Sequence, residues 1–491
     1  MAASTSMVAL GMAALLTLTG VATAQERPPK PLSVEGELEF PPYEIRTLPN
    51  GMRVVVVLHH EQPAVTVRLL VQAGSAMDPS DKPGVASLMG MLLDQGTGKR
   101  SAQQIADTID YIGGSLVTGA GTDMSFVQAL VMKDSFDDAM DLVADLARNP
   151  AFSPEEIERQ RSQRLSALKV NYQDPDYVAD SMIDRLVYGF HPYGIPADGT
   201  PESLARITRE DLAAFHGRWF VPNNCLLAIV GDLRAGEAFK GAERVFGDWK
   251  RGELPSLEAT KPPPPTRRVV VVDRPNAIQT EIRVGQLAIA RKHPDYMPLM
   301  LAINVLGGEG ANRLHNVLRS ERGLTYGASA DMDPLKRSGD IIASTDTRSE
   351  STGEALRLVI DEFWRLRREP VGQRELQGAQ DYLTGSFPLD IERPDMIALE
   401  VLQTLFYDLD VEELETYRDR VRSVTVQDIA RVGREYLQPD RLSIVLVGDA
   451  RKIGPQLQTI GIGDFERVAL ANLDFTTADF LPRAAAAPAA R

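Results

Sequence analysis

Four short stretches of the chain carry apolar residues in strand-like patterns. Val54-Val55-Val56-Val57 is followed by the alternating run Val65-Thr66-Val67-Arg68-Leu69. Much later, Val269-Val270-Val271-Val272 is followed by Thr280-Glu281-Ile282-Arg283-Val284. A period of two sends successive side chains to opposite faces. Both pairs therefore predict sheets with one face on a core and the other solvated or lightly covered. In the first half the spacing then lengthens to a helical period over residues 88–93, 102–112, 136–147 and 154–170. Ser101 and Ser153 stand at N-cap positions, the second with Pro154 and Glu156 in the first turn. Residues 115–120 and 125–131 read as a hairpin around Gly119 to Asp123.

The two halves repeat. Ile207-Thr208-Arg209-Glu210-Asp211-Leu212 aligns with Val424-Thr425-Val426-Gln427-Asp428-Ile429. Without a gap, Trp219 then aligns with Tyr436, Pro222 with Pro439, and Val230-Gly231-Asp232 with Val447-Gly448-Asp449. A constant offset across a helix–turn–strand unit marks a duplication. Strands precede long helices in each half, which predicts an α+β fold of two homologous domains, each a mostly antiparallel sheet covered by helices. The predicted domains are residues 25–254 and 268–475. Between them, residues 255–267 contain Pro262-Pro263-Pro264-Pro265, which joins neither a helix nor a central strand and predicts a semi-rigid linker. Residues 476–491 end in an Ala/Pro-rich run and are assigned to a low-complexity tail.

Composition narrows the function. The 491 residues carry 53 Lys and Arg against 68 Asp and Glu, a formal charge of −15. Nucleic acid and anionic lipid both demand clustered cations, so neither is an expected partner. The single cysteine, Cys225, lies in an apolar run and is expected to be buried, and it excludes an internal disulfide. Residues 1–24 hold no charge; an apolar run from Met7 to Leu18 is followed by Ala22-Thr23-Ala24. That pattern predicts a signal peptide cleaved after Ala24, and hence a periplasmic chain with no membrane span after cleavage.

One segment carries a familiar signature. Gly84-Val85-Ala86-Ser87-Leu88-Met89-Gly90-Met91-Leu92-Leu93 leads into Gly96-Thr97. This resembles the signature helix of the pitrilysin/insulinase metallopeptidases, whose pattern is G-x-A-H-x-x-E-H with an apolar pair and G-T. Gly113-Gly114, Thr122-Asp123, Asn149-Pro150-Ala151-Phe152, His191-Pro192-Tyr193-Gly194, Gly199-Thr200 and the two V-G-D strands agree with it. The resemblance spans roughly Leu48 to Ala450 and implies half of a clamshell-shaped peptidase. In the intact motif, two His one helical turn apart reach one Zn²⁺, and the Glu beside them polarises bound water. Here those positions are Ser87, Met91 and Gly90. A hydroxyl and a thioether are poor zinc ligands, and glycine has no side chain. The third ligand of the family is a Glu on the helix before the Asp174-Pro175 turn; residues 164–170 contain no acid. Val117-Thr118 also stands where active relatives show Asn-Ala. The zinc motif is degenerate, and no metal and no cofactor are expected in this chain.

The second half keeps the other part of the family's site. Arg319-Ser320-Glu321-Arg322-Gly323-Leu324-Thr325-Tyr326 resembles the C-terminal signature, an Arg seven positions before a Tyr. The resemblance implies that Arg319 binds a peptide carbonyl and that Tyr326 donates to an oxyanion. Complementarity of what is lost and what is kept predicts a non-catalytic, substrate-binding subunit of a periplasmic heterodimeric zinc metalloendopeptidase. Such a chain would be inactive alone and would supply Arg319 and Tyr326 in trans to the zinc of a homologous partner, with peptide or unfolded polypeptide as substrate. The alternative is an inactive structural or peptide-holding member without a peptidase partner. Other constellations are weaker. His59-His60-Glu61 follows a strand, so the two His diverge. Gly307-Gly308-Glu309-Gly310 lacks the ending of a phosphate loop. His191, His216, His293 and His315 are scattered, and a structural role is expected for each.

Overall fold

The computed structural model describes residues 40–256, 261–309 and 312–481. The leader assigned to residues 1–24, part of the linker and the end of the tail lie outside the described residues. The first half builds a six-stranded sheet from β1 (Tyr43–Thr47), β2 (Arg53–Leu58), β3 (Ala64–Val71), β4 (Ser115–Ala120), β5 (Ser125–Met132) and β6 (Cys225–Gly231). Its spatial order is β1-β2-β6-β3-β5-β4, and only β2 and β6 run parallel. The second half uses β7 (Val269–Asp273), β8 (Gln279–Ala288), β9 (Ala328–Asp333), β10 (Gly339–Arg348), β11 (Ser443–Gly448) and β12 (Glu466–Ala469). The order there is β12-β7-β11-β8-β10-β9. Five strands of each sheet correspond one to one. The sixth does not: β1 enters antiparallel to β2, whereas β12 arrives from the other end of the chain and runs parallel to β7.

The repeat is also visible in its helix caps. Thr208 and Asp211 form a capping box, and Thr425 and Asp428 form its counterpart. The threonine backbone N–H groups donate to the aspartate carboxylates at 2.8 and 2.9 Å. The first half also holds helices α1 (Val85–Leu92), α2 (Ala102–Tyr111), α3 (Phe136–Arg148), α4 (Pro154–Asn171) and α5 (Pro175–Tyr188). Ser101 and Ser153 cap α2 and α4 as predicted.

The second face of each sheet departs from expectation. It is not solvated, because each half lends a helix to the other. Helix α5 packs across β8 and β11 of the second sheet. The helix Pro394–Phe406 of the second half packs across β3 and β6 of the first. Val178, Met182, Ile183, Val187 and Tyr188 of α5 join Val270, Val272, Val445 and Val447 in one buried cluster. A fully buried aliphatic side chain is worth about 1.5–3 kcal/mol, so the exchange ties the halves far more firmly than a surface contact. On β8 the polar residues Thr280 and Arg283 are buried with partners, Thr352 for the first. Arg283 is 4% exposed, and its guanidinium pairs with Asp176 and Asp180 of α5, the latter at 2.6 Å. The Tyr188 hydroxyl donates to Asp340 at 2.8 Å.

The folded body also runs beyond the tail boundary drawn at residue 476. Phe475 and Phe480 are buried, and Arg185 donates to the carbonyls of Phe475 and Thr477. Two phenylalanines within the Asp/Thr-rich end supply the apolar anchor that the adjacent Ala/Pro run lacks.

Residues 250–256 and 261–268 form neither helix nor strand, so the linker is the expected first target of a protease. Two fragments of similar size should appear on a denaturing gel. Because of the exchanged helices, both should still elute together from gel filtration in native buffer. Separate elution would show that the exchange contributes little to holding the halves.

Candidate functional site

Helix α1 starts at Gly84, whose φ of 98° suits glycine. The Asp78 carboxylate accepts from the backbone N–H of Gly84 at 2.7 Å and of Ala86 at 2.8 Å. It thereby satisfies two donors at the helix N-terminus. Ser87 and Met91 lie one turn apart on the face of α1 that meets α4. There, Arg164 of α4 reaches between them. Its Nη2 donates to Ser87 Oγ at 3.1 Å and approaches Met91 Sδ at 3.0 Å. Its Nη1 lies 3.0 Å from Asp198 Oδ1, and the Ser87 hydroxyl donates to the same oxygen at 3.0 Å. A guanidinium thus stands between the two positions that carry histidines in the intact motif.

Gly90 shows a second departure. A Cβ at this position would lie 2.8 Å from the Ala120 nitrogen and 2.8 Å from the Gly119 carbonyl carbon. Real side chains do not approach backbone so closely, so α1 has closed onto β4 where the motif has its Glu. Thr118 fixes this approach, its hydroxyl donating to the Gly90 carbonyl at 2.8 Å. Thr118 and the glycine are therefore parts of one contact. Among the described residues, no group of three or more His, Cys, Asp and Glu could hold a metal ion. A hydroxyl, a thioether and a fixed cation do not fit Zn²⁺, whose ligands are thiolate, imidazole and carboxylate.

The second candidate pair is built differently. Residues His315–Glu321 form a π-helical turn, closed by Leu324 N–H donating to the Leu318 carbonyl at 2.8 Å. Gly323, at φ 61°, permits the reversal that follows. Arg319 projects from the turn, and Tyr326 stands just before β9, an edge strand. Tyr326 is 85% exposed. Among the described residues, neither side chain makes a hydrogen bond, an ion pair or a ring contact. Nearby Arg313 contrasts with them: it is buried and grips Glu375 through two bonds of 2.8 and 3.0 Å. Burial and pairing mark Arg313 as structural, in contrast to Arg319. No hydrogen bond or ion pair joins Arg319 or Tyr326 to Ser87, Gly90 or Met91.

The remaining candidates are structural. His59 lies 3.9 Å from Glu61 while His60 turns to Asp232 at 2.8 Å, so the two imidazoles have separate partners. His216 stacks on Phe220, and burial pushes its imidazole down to about 4, which keeps it neutral. His191 packs against Tyr188 and Tyr193, and His293 against Tyr436. Cys225 is buried, donates to the Val221 carbonyl at 3.1 Å, and burial raises its thiol far above the usual range. Sequence reasoning missed Asp198 and the positive role of Arg164. The only signal was that a stretch expected to hold an acid carries an arginine.

Residues 53–200 match the family described as Insulinase (Peptidase family M16), and residues 206–383 match Peptidase M16 inactive domain. An uncharacterized zinc protease of Mycobacterium tuberculosis is 26% identical over 84% of this chain and 95% of its own. One from Bacillus subtilis is 23% identical over 70% of this chain and 84% of its own. Among solved structures, a peptidase M16 inactive domain from Pseudomonas fluorescens superposes with TM-score 0.79 at 28% identity, covering 83% of this chain and 98% of that one. A protease from Helicobacter pylori has the same fold, with TM-score 0.78 at 20% identity, covering 83% and 99%. With both halves matched in order and the whole two-sheet body reproduced, the chain belongs to the M16 (pitrilysin/insulinase) peptidase family.

Proposed function

We propose that this protein is the non-catalytic, substrate-binding subunit of a periplasmic heterodimeric zinc metalloendopeptidase, placing Arg319 and Tyr326 on a peptide held at the zinc site of a homologous partner. One observation carries the reading. The two halves of the site are in opposite states: Ser87, Met91 and Arg164 are joined with Asp198 in an internal network, whereas Arg319 and Tyr326 have no partner among the described residues. An exposed arginine and an exposed tyrosine, each without a partner among the described residues, are suited to meet something outside the chain. A guanidinium binds peptide carbonyls, and a phenol donates to charge that develops during acyl transfer. The position of Tyr326 at the start of edge strand β9 adds support, since an extended peptide gains affinity by pairing with a free sheet edge.

The zinc belongs to the partner in this reading, and the periplasmic address rests on the leader pattern in residues 1–24. Native purification from the source cell tests the assembly. The expected result is copurification of an M16 chain with intact H-x-x-E-H and one zinc per heterodimer. Recovery of this chain alone, or with proteins of other families, would favour a structural or peptide-holding role without a peptidase partner.

A further inference from the structure

A cavity whose lining shares no residue with either candidate site lies among the helices of the second half. It has a volume of about 250 Å³, room for several waters. Four aromatic rings line it: Tyr296, Phe387, Tyr407 and Tyr417. Phe387 and Tyr417 pack against each other with centroids 4.6 Å apart. Five charged groups share the wall, namely Asp390, Glu400, Glu413, Arg291 and Arg420. The arginines are already engaged. Arg420 lies 2.6 Å from Glu413, and Arg291 lies 3.9 Å from it and 3.9 Å over the Tyr296 ring. Three carboxylates against two guanidiniums leave one negative charge uncompensated. Glu400 is half-buried and carries that imbalance: among the described residues its carboxylate accepts no hydrogen bond and joins no ion pair. Burial, with Asp390 nearby, raises it to about 7.

We propose that this cavity is a binding site for a primary alkylammonium, with Glu400 and Asp390 holding the charge and the tyrosine and phenylalanine rings enclosing the alkyl chain. The chemistry follows from the wall. A cation is attracted both by the unpaired carboxylates and by the faces of aromatic rings. The ring faces also bury methylene groups, which a hydrated metal ion does not offer. The unpaired amide of Gln403 supplies a further acceptor through its oxygen. A neutral ligand of the same shape would leave Glu400 buried without a partner, which is costly. Two sources share this chemistry: a free diamine, and the lysine side chain of a peptide.

Titration calorimetry on the full mature chain tests it with three probes: cadaverine, Nα-acetyl-lysine amide and pentanediol. Saturable heat with cadaverine or the lysine amide, and none with the diol, is the expected result. Whichever amine binds more tightly identifies the source. Loss of a charge-assisted bond costs about 1.5–3 kcal/mol, so Glu400→Gln should weaken binding roughly 10- to 100-fold. Gln preserves size, and circular dichroism checks that the variant folds. Asp390→Asn, at an exposed position, should weaken binding in the same direction. Absence of heat with both amines at millimolar concentration would overturn the proposal. So would equal affinity of the wild type, Glu400→Gln and Asp390→Asn.

Discussion

A chain carrying Ser87→His, Gly90→Glu and Met91→His is expected to fold less stably than the wild type and still to bind no stoichiometric zinc. The steric term comes from Gly90. Any Cβ there meets the backbone of Gly119 and Ala120 at 2.8 Å, and backbone cannot step aside as a flexible side chain does. Overpacking of this kind costs about 1–3 kcal/mol. A glycine in the middle of an ordinary helix behaves oppositely, since alanine there gains about 1 kcal/mol. The sign of Gly90→Ala therefore isolates the contact: destabilisation is expected, where helix propensity alone predicts the reverse. The electrostatic term comes from Arg164. Its guanidinium stays between positions 87 and 91, now beside two imidazoles, and a permanent cation opposes Zn²⁺ in the same place. Thermal melts of Gly90→Ala and of the triple variant, with elemental analysis, check both terms. A melt unchanged in Gly90→Ala, or one tightly held zinc in the triple variant, would show that α1 relaxes away from β4 and that Arg164 yields.

The arrangement of the two halves was legible only in part, and the boundary is physical. The caps at Ser101 and Ser153, the hairpin of β4 and β5, and the degenerate motif on α1 are local features, decided by neighbours within a few residues. Which helix covers which sheet is not local. Thr66, Arg68, Thr280 and Arg283 look like the solvated face of a strand because polar residues usually are exposed. Thr66, Thr280 and Arg283 are buried and Arg68 is half-buried, and partners far away in sequence hold three of the four: Asp176 and Asp180 for Arg283, Gln128 for Arg68 and Thr352 for Thr280. Alternation reports polarity, and polarity tracks exposure only while no such partner exists. The same limit hid Arg164. Sequence shows that the expected acid is missing, but not that the arginine beside the gap turns inward to Ser87, Met91 and Asp198. Arg319 and Tyr326 came from the resemblance alone; their exposure and lack of partners became evident only in three dimensions.

In the proposed heterodimer, Tyr326→Phe is expected to lower kcat by roughly 10²–10³-fold while KM changes little. The ring keeps its place and only the hydroxyl is lost, so packing and dimer formation should survive. A single donor to an oxyanion is worth about 2.7–4 kcal/mol in other acyl-transfer sites, which sets the size of the effect. The loss falls on kcat because the negative charge develops only in the transition state, and the ground-state carbonyl gains little from the donor. Arg319→Ala should behave differently. A guanidinium on a peptide carbonyl acts already in the bound substrate, so its removal should raise KM as well as lower kcat. Among the described residues neither side chain has a partner, so both variants should melt with the wild type; a large shift would mean that the residue supports the fold instead. Steady-state kinetics on the reconstituted pair, with melts of the isolated chain, separate these outcomes. Turnover near wild type in Tyr326→Phe would leave this chain as a scaffold that holds peptide or partner, with all the chemistry supplied by the other subunit.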